Sequence, residues 1–246
     1  MGARRQAQAP VGCAPEERDT AKGLEGAMAR LRALARPDQL QGMARYGMSI
    51  EHRLGVSIPE LRKLAKELGR DHELALALWE TGYADARILA ALVDDPRAVT
   101  VEQMDAWVLG LDSCDVCDQV CMALFDKTPL AWERVRVWAG REEEYVKRAA
   151  FSLIASLAWH DKRAEDSAFV ALLPVIEAAA TDERNYVKKA VSWALRHIGK
   201  RNMALRGQAL DMAERLRASS SRAARWVGAD AARELERARE TKREEG

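Results

Sequence analysis

Two segments decide the fold: Tyr145-Val-Lys-Arg-Ala-Ala (145–150) recurs as Tyr186-Val-Lys-Lys-Ala-Val (186–191), 41 positions later. In both copies apolar residues continue beyond the motif at the three- and four-residue spacing of an amphipathic helix. A repeat of this length typically holds one helix pair, which buries its apolar face only by stacking on neighbouring pairs. The two segments therefore predict a stack of helix pairs.

The remainder of the 246-residue chain agrees with an all-helical fold. It contains only 15 Gly and 7 Pro, and no stretch shows the period-two alternation of strands. Helical spacing runs through residues 23–240, with predicted helices that include 113–125, 142–158, 165–179 and 183–198. We predict an all-α, HEAT-like or armadillo-like superhelix, an α-solenoid, built as a single domain over residues 23–240.

The two ends differ from this domain in composition. Residues 1–22 are rich in Ala, Arg, Gln and Pro without periodicity, and we predict a disordered leader there. Residues 241–246 are nearly all charged and predict a frayed tail. The chain shows neither an apolar run of about 20 residues, as a membrane span needs, nor the apolar stretch of a secretory signal. We therefore expect a cytoplasmic protein with no membrane contact, associated with the nucleoid when bound to DNA.

Three of the four cysteines, Cys114, Cys117 and Cys121, fall within one predicted helix, and the fourth is Cys13. Thiols on one helix cannot link distant loops, so we expect reduced cysteines. Their Cys-x₂-Cys-x₃-Cys order lacks a fourth thiol and matches no defensible metal or cluster spacing. The sequence also contains no recognisable nucleotide-binding loop. We expect no metal, nucleotide or other cofactor.

The charge is distributed unevenly along the chain. The net charge is +1 overall, but residues 183–246 carry 16 Lys and Arg against 9 Asp and Glu, a net +7, which leaves −6 for the remainder. Because phosphate contacts are local, a basic C-terminal third is compatible with a polyanionic partner. Many solvated helix surfaces are equally basic, so this feature alone does not identify the partner.

The helix at 183–198 has two contrasting faces when its residues are placed about 100° apart. One face is an apolar stripe formed by Val187, Ala190, Val191, Ala194 and Ile198. The opposite face carries Lys189, Trp193, Arg196 and Lys200. Trp193 either packs against a neighbouring helix or stands exposed on a phosphate-binding face, where an aromatic ring among cations is typical of nucleic-acid contact.

Two earlier helices have the same arrangement, with an apolar stripe on one side and a presented face on the other. Relative to their own apolar stripes, Arg148 and Asp118 occupy the position of Lys189, and Cys114 lies one turn before Asp118. If these helices line the inside of the superhelix, Asp118, Arg148 and Trp193 share one concave wall. An aspartate and an arginine so placed can also form an ordinary salt bridge between repeats, and the helical wheel does not separate these alternatives.

These residues are also the ones in which the chain resembles the AlkD-type DNA alkylation repair family, the HEAT-like alkylpurine DNA glycosylases. The resemblance covers residues 43–225, and its order and spacing are more specific than any one motif. The motifs are Tyr46-Gly, Val56-Ser-Ile-Pro-Glu-Leu-Arg-Lys-Leu-Ala-Lys, Ala77-Leu-Trp, Cys114-Asp-Val-Cys-Asp, Lys147-Arg-Ala-Ala-Phe and Lys189-Ala-Val-Ser-Trp-Ala-Leu-Arg.

The resemblance implies a helical-repeat protein that holds duplex DNA on a concave basic surface and excises cationic N3- or N7-alkylated purines. It implies a catalytic role for Asp118, and that Arg148 holds the adjacent phosphate and the Asp118 geometry. It further implies that Trp193 lies at the lesion. Further DNA contacts are expected from Tyr46, Lys189, Arg196 and Lys200. The family has a tryptophan at the position of Cys114, so a thiol replaces an aromatic face beside the lesion.

Three hypotheses remain at this stage. The first is a monofunctional glycosylase in which Asp118 stabilises the oxocarbenium-like transition state and positions water. The second is a non-catalytic protein that recognises branched or distorted DNA, which Cys114 favours. The third is a helical-repeat scaffold for other proteins. In the first two the partner is double-stranded DNA, and the protein is expected to be a monomer.

Overall fold

The computed structural model describes the backbone of residues 15–46 and 48–244, and the side chains of residues 23–46 and 48–237. Regular structure in these residues is helical throughout, which confirms the predicted fold class. The helices are α1 (Pro15–Ala33), α2 (Pro37–Arg45), α3 (Ile58–Leu68), α4 (His72–Glu80), α5 (Ala84–Val93), α6 (Val101–Leu109), α7 (Cys114–Ala123), α8 (Ala131–Ala139), α9 (Glu144–His160), α10 (Asp166–Val170), α11 (Leu173–Ala179), α12 (Asn185–Arg201), α13 (Met203–Arg217) and α14 (Arg222–Glu244). No helix among the described residues is long and apolar enough to cross a membrane.

The N-terminal boundary differs from the prediction. Helix α1 begins at Pro15, so residues 15–22 of the expected disordered leader are helical. The stretch contains two Glu together with one Arg, one Ala and one Lys, which favour helix, and proline suits the first helical position. The rest of the expected leader, residues 1–14, lies outside the described residues. At the other end α14 continues to Glu244, into the expected tail, and residues 245–246 lie outside the described residues.

The helices from α4 onward form two rows. In the second row, α5, α7, α9, α12 and α14 lie side by side, each packed against the next. In the first row, α4, α8, α11 and α13 pack behind α5, α9, α12 and α14, and α6 lies among them, its Trp107 ring stacked on Trp79 of α4. Each repeat thus contributes one helix to each row. This is the stack of helix pairs that the sequence predicts.

The repeated motif opens the two central helices of the second row, α9 and α12, each of 17 residues. The predicted apolar stripes are buried in both, at 2% exposure or less: Val146, Ala149, Ala150, Leu153, Leu157, Val187, Ala190, Val191, Ala194 and Ile198. Alanine in these stripes lets the helix axes approach closely. The faces turned away from the stripes are therefore held side by side, which positions the site.

One predicted helix is broken in the structure. The sequence pattern at 165–179 predicts a single helix, but α10 ends at Val170 and α11 starts at Leu173. Pro174 occupies the first turn of α11, where a missing N–H costs nothing. A continuous helix would set the Pro174 ring against the carbonyl group of Val170, four residues earlier.

A glycine allows α14 to pack closely on α13. A Cβ atom at Gly228 would lie 2.4 Å from the carbonyl oxygen of Ala213 and 2.8 Å from the backbone nitrogen of Arg217. Both neighbours are backbone atoms and cannot rotate away, so only glycine fits. This contact fixes α14 beside α12 and brings its acidic residues to the site.

Candidate functional site

Four consecutive second-row helices, α7, α9, α12 and α14, line one open groove of about 300 Å³. Its lining residues are Asp118, Arg148, Lys189, Trp193, Arg196, Trp226 and Asp230. The shared phase predicted that Asp118, Arg148 and Trp193 would meet on one wall, and the structure brings them together. The sequence did not indicate Trp226 and Asp230, because they belong to α14, whose position depends on packing.

Asp118 is one of the two carboxylates that line this groove, with Asp230. Arg148 Nη2 donates to both of its oxygens, at 2.9 and 2.8 Å, and the Ser152 hydroxyl donates to Oδ1 at 2.8 Å. About a quarter of the Asp118 side chain, 26%, remains exposed to the groove. The carboxylate is thus fixed from one side by two donors and open to a ligand from the other.

The environment of Asp118 favours a basic carboxylate. Burial raises the pKa of Asp118 above its usual value and outweighs the Arg148 guanidinium and the Ser152 hydroxyl, which lower it. For Arg148, burial acts to lower the pKa, but the charge of Asp118 raises it above the usual value. The guanidinium stays protonated in any case, and its hydrogen bonds to both oxygens favour the ionised form of the carboxylate.

Arg148 is less accessible than the sequence suggested. Its side chain is only 7% exposed, and Nη1 donates to the carbonyl oxygen of Tyr186 at 2.8 Å. With both terminal nitrogens engaged inside the protein, Arg148 joins α7, α9 and α12 and orients Asp118. Its expected contact with a DNA phosphate stays a prediction, and it requires an N–H group of Arg148 that a phosphate can reach. The alternative of a salt bridge between repeats is confirmed, and Asp118 still faces the groove.

Trp193 is partly exposed in the groove and is not packed between the rows. Its ring meets His197 edge to face, with centroids 5.6 Å apart and planes at 89°. Lys189, one turn earlier on α12, is exposed. Of the two alternatives for Trp193, the structure favours the ring on an accessible wall beside a cation.

Two of the expected cations are paired with carboxylates of α14. Arg196 forms an ion pair with Glu234, and its Nε lies 3.7 Å from Asp230. Lys200 also contacts Glu234. The sequence pattern showed the cationic face of α12 but not these acidic neighbours, which lie more than thirty residues away in the chain. The wall is therefore a mixture of exposed and neutralised positive charge.

Cys114, at the first position of α7, is partly buried, and burial raises the pKa of its thiol. Tyr145 and Tyr186, the first residues of the two repeated motifs, stack nearby with ring centroids 5.6 Å apart. Burial raises the pKa of Tyr145 above its usual value, and the charges of Tyr186 and Cys114 add to the rise. Aromatic surface is thus present beside Cys114, on two residues that the sequence marked only as repeat signatures.

A second carboxylate on α7, Asp115, has a structural role. Arg53 Nη1 donates to Oδ2 of Asp115 at 2.6 Å and Nη2 donates to Oδ1 at 3.0 Å, and the Ser113 hydroxyl also donates to Oδ1. Arg53 is 8% exposed and also donates to the carbonyl oxygen of Ser49 at 2.7 Å. This network holds the start of α7 against the segment before α3 and thereby fixes the direction of Asp118.

Tyr46 lies apart from the groove residues. It follows the end of α2 and is 78% exposed. The structure does not bring it among the residues that line the groove, so its expected DNA contact stays a prediction.

The free cysteines of α7 differ in setting. Cys117 and Cys121 are buried, and the Cys121 thiol donates to the carbonyl oxygen of Ala149 at 3.6 Å. In the part of the chain that the structure describes, no three His, Cys, Asp or Glu side chains are grouped to hold a metal ion. Cys13 lies outside that part.

Comparisons with known proteins place this geometry in a family. The sequence profile of the family described as DNA alkylation repair enzyme matches residues 27–235, most of the 246 residues. The chain belongs to the DNA alkylation repair enzyme family. No curated protein matches it in sequence. The family match spans both rows of helices and includes every residue that lines the groove.

Solved structures add the fold of this DNA alkylation repair family member. One similar structure is described as "a new family of proteins related to the HEAT-like repeat DNA glycosylases with affinity for branched DNA structures", with a TM-score of 0.70 and 21% identity over 78% of this chain and 82% of that one. At that identity the likeness shows the HEAT-like fold alone. A designed armadillo repeat protein matches less well, with a TM-score of 0.37 and 15% identity over 88% of this chain and 98% of that one.

Proposed function

We propose that this member of the DNA alkylation repair family hydrolyses the N-glycosidic bond of cationic N3- or N7-alkylated purines in duplex DNA. The observation that carries the proposal is Asp118, a carboxylate held by Arg148 and Ser152 and 26% exposed in a groove with Trp193 and Lys189. Such a carboxylate is positioned to interact with a cation that develops beside it.

The reaction suits a site without a general acid. An N3- or N7-alkylated purine already carries a positive charge, so it leaves as a neutral base with the electron pair of the broken glycosidic bond. The deoxyribose then gains oxocarbenium character, which the negative charge of Asp118 stabilises. A water molecule adds to the anomeric carbon and loses a proton, and a carboxylate of raised pKa is suited to accept it. The products are free base and an abasic site.

In this mechanism Arg148 acts through Asp118. Its bond to Tyr186 ties it to α12, so the carboxylate keeps one orientation when DNA enters. Preorganisation of this kind avoids reorganisation during the reaction, which is the main source of electrostatic catalysis. Arg148 is therefore a positioning residue, and Asp118 is the catalytic residue.

The DNA contacts are assigned to the wall around Asp118. Trp193 packs against the sugar or base of the damaged nucleotide, and Lys189 lies where it can neutralise a phosphate. Arg196 and Lys200 reach the backbone once they exchange Glu234 for phosphate. Tyr46 is a more distant backbone contact. Together these residues form the proposed basic, concave surface for double-stranded DNA, on which one copy of the protein is sufficient.

A second candidate function is binding without excision. Cys114 is the observation that favours it, because the resembling glycosylases carry a tryptophan there that supports the cationic base. The structure described above as similar is of a family with affinity for branched DNA, which is consistent with this alternative. In that case the same groove recognises branched or distorted DNA, and Asp118 is retained for its ion pair.

Release of free base from duplex DNA that contains 7-methylguanine tests the proposal. The wild-type protein should release the base, and Asp118→Asn should be slower by at least about a hundredfold. Asp112→Asn is the matched control, because it changes an exposed carboxylate just before the same helix that does not line the groove. Circular dichroism checks that both variants fold.

Three other outcomes would contradict excision by Asp118. Equal loss in Asp112→Asn and Asp118→Asn would point to a general effect of removing negative charge near α7. No release by the wild type, with binding to forked or four-way DNA intact, would support the binding module. If the protein did not bind DNA even at low salt, the remaining hypothesis would be a helical-repeat scaffold that binds other proteins.

A further inference from the structure

A second depression lies on the same wall, at the C-terminal ends of α9 and α12. It measures about 530 Å³ and is lined by Ala158, Trp159, Lys162, His197, Lys200 and Arg201. This volume lies in the range of cavities that hold small organic ligands. Trp159, in the last turn of α9, is 49% exposed there. Because it follows Arg148 by eleven residues, close to three helical turns, it shares the phase of the groove residues.

The Trp159 ring is held in place by two histidines. The His160 ring stacks near it at 5.2 Å between centroids and 28° between planes, and His160 is bonded to the buried carboxylate of Asp126. The His197 ring lies 5.6 Å from Trp159 and also 5.6 Å from Trp193. A continuous row of rings, Trp193, His197 and Trp159, therefore joins the groove to the depression.

The rim of the depression is cationic. Lys162 is exposed, and Lys200 adds a second positive charge, which its salt bridge with Glu234 partly neutralises. Arg201 is fixed, because it donates to the carbonyl oxygens of Ala158, Asp161 and Ala164. Burial and the nearby cations lower the pKa of His197 to about 4, so its ring is uncharged at neutral pH and gives Trp159 an uncharged aromatic neighbour.

We infer that Trp159 is a stacking platform for an unpaired nucleobase of a single strand that leaves the duplex held in the groove. An exposed, oriented indole beside cations is the combination by which proteins bind single-stranded nucleic acid without reading its sequence. A paired base cannot use it, since its faces are covered by neighbouring base pairs. The inference rests on the proposed binding of duplex DNA in the groove, and it adds a preference for forked or flapped DNA.

The test compares the affinity for a plain duplex with that for a fork of the same duplex carrying two unpaired arms, measured by fluorescence anisotropy. The wild type should prefer the fork, and Trp159→Ala should lose about 5- to 150-fold on the fork, the range of one stacked base. Its affinity for the plain duplex should change by less than about twofold. Trp159→Phe keeps an aromatic face and should retain most of the preference. Leu109→Ala, at a residue 56% exposed on α6, is the surface control and should behave as wild type.

A direct readout of stacking is 2-aminopurine placed in the unpaired arm next to the junction. Its fluorescence should be quenched by the wild type and by Trp159→Phe but not by Trp159→Ala. The inference is overturned if the wild type shows no preference for the fork, if Trp159→Ala loses equally on both substrates, or if quenching survives in Trp159→Ala. These results are independent of base release: absence of excision would end the glycosylase proposal and leave the fork preference standing.

Discussion

Three tryptophans of the first row and three of the second have opposite environments, although all belong to the same repeat array; the remaining first-row tryptophan, Trp132, is partly exposed and packs on Phe169. In the first row Trp79, Trp107 and Trp138 are 1–4% exposed. Trp79 and Trp107 stack with ring centroids 4.1 Å apart, and Phe125 continues the contact to Trp138. In the second row Trp159 and Trp226 are 49% and 38% exposed, and Trp193 is partly exposed. Each of these three lines the groove or the adjoining depression.

The difference separates the two uses of a large ring. The rings of Trp79, Trp107 and Trp138 pack on one another and on Phe125, so their area is buried and stabilises the fold. A second-row ring on the opposite face of its helix has no further layer to cover it. It is accessible beside Lys189 or Lys162 and can stack on a ligand. Substitutions in the two rows should therefore affect different measurements.

The largest effect is expected from Trp107→Ala. Truncation of this buried ring leaves a cavity and removes its stack on Trp79, so the free energy of unfolding should fall by about 3–5 kcal/mol. Urea denaturation followed by circular dichroism measures the change. The folded protein should bind duplex DNA as the wild type does. If Trp107→Ala lost little stability but much DNA affinity, the assignment of buried rings to the fold and of exposed rings to binding would be wrong.

A smaller effect, on binding instead of folding, is expected from Trp193→Ala. The partly exposed ring contributes little to the core, so unfolding should change by less than about 1 kcal/mol. The affinity for duplex DNA should fall about tenfold, within the range of one stacking contact. Urea denaturation measures the stability, and fluorescence anisotropy measures the affinity for duplex DNA. A loss of several kcal/mol in stability would show that Trp193 is a core residue.

The smallest effect is expected from Glu234→Gln. Burial raises the pKa of Glu234, but its contacts with Lys200 and Arg196 lower it below the usual value, so the carboxylate is charged and neutralises these cations. Its removal should raise the affinity for DNA by up to about fivefold, the scale of a partly exposed ion pair. The dependence of affinity on salt should steepen because more phosphate contacts form. Glu236→Gln, also on α14 and exposed, is the control. Equal effects of the two variants would indicate a general charge effect.

Much of the site could be predicted from the sequence. The common phase of Asp118, Arg148 and Trp193 depends only on helical periodicity and on the position of each apolar stripe, and the structure brings all three to one groove. Trp159 has the same phase, eleven residues after Arg148, and that signal could have been found. Ser152, four residues after Arg148, gives a similar signal for the second partner of Asp118.

The partners of these side chains could not be predicted. The burial of Arg148 depends on the distance between α9 and α12, and the neutralisation of Arg196 depends on where α14 lies. That position follows from the close contact at Gly228, which no periodicity reveals. The break at Pro174 and the early start of α1 also required the structure, because helix boundaries depend on local competition between weak preferences.

The sequence by itself determined which face of each helix is buried and which is presented, since both follow from hydrophobic periodicity within one helix. Only the tertiary structure decided which presented charges meet a partner and which remain accessible. The physical reason is range: periodicity acts over a few residues, whereas an ion pair such as Arg196 with Glu234 joins helices whose spacing is set by packing across the whole stack.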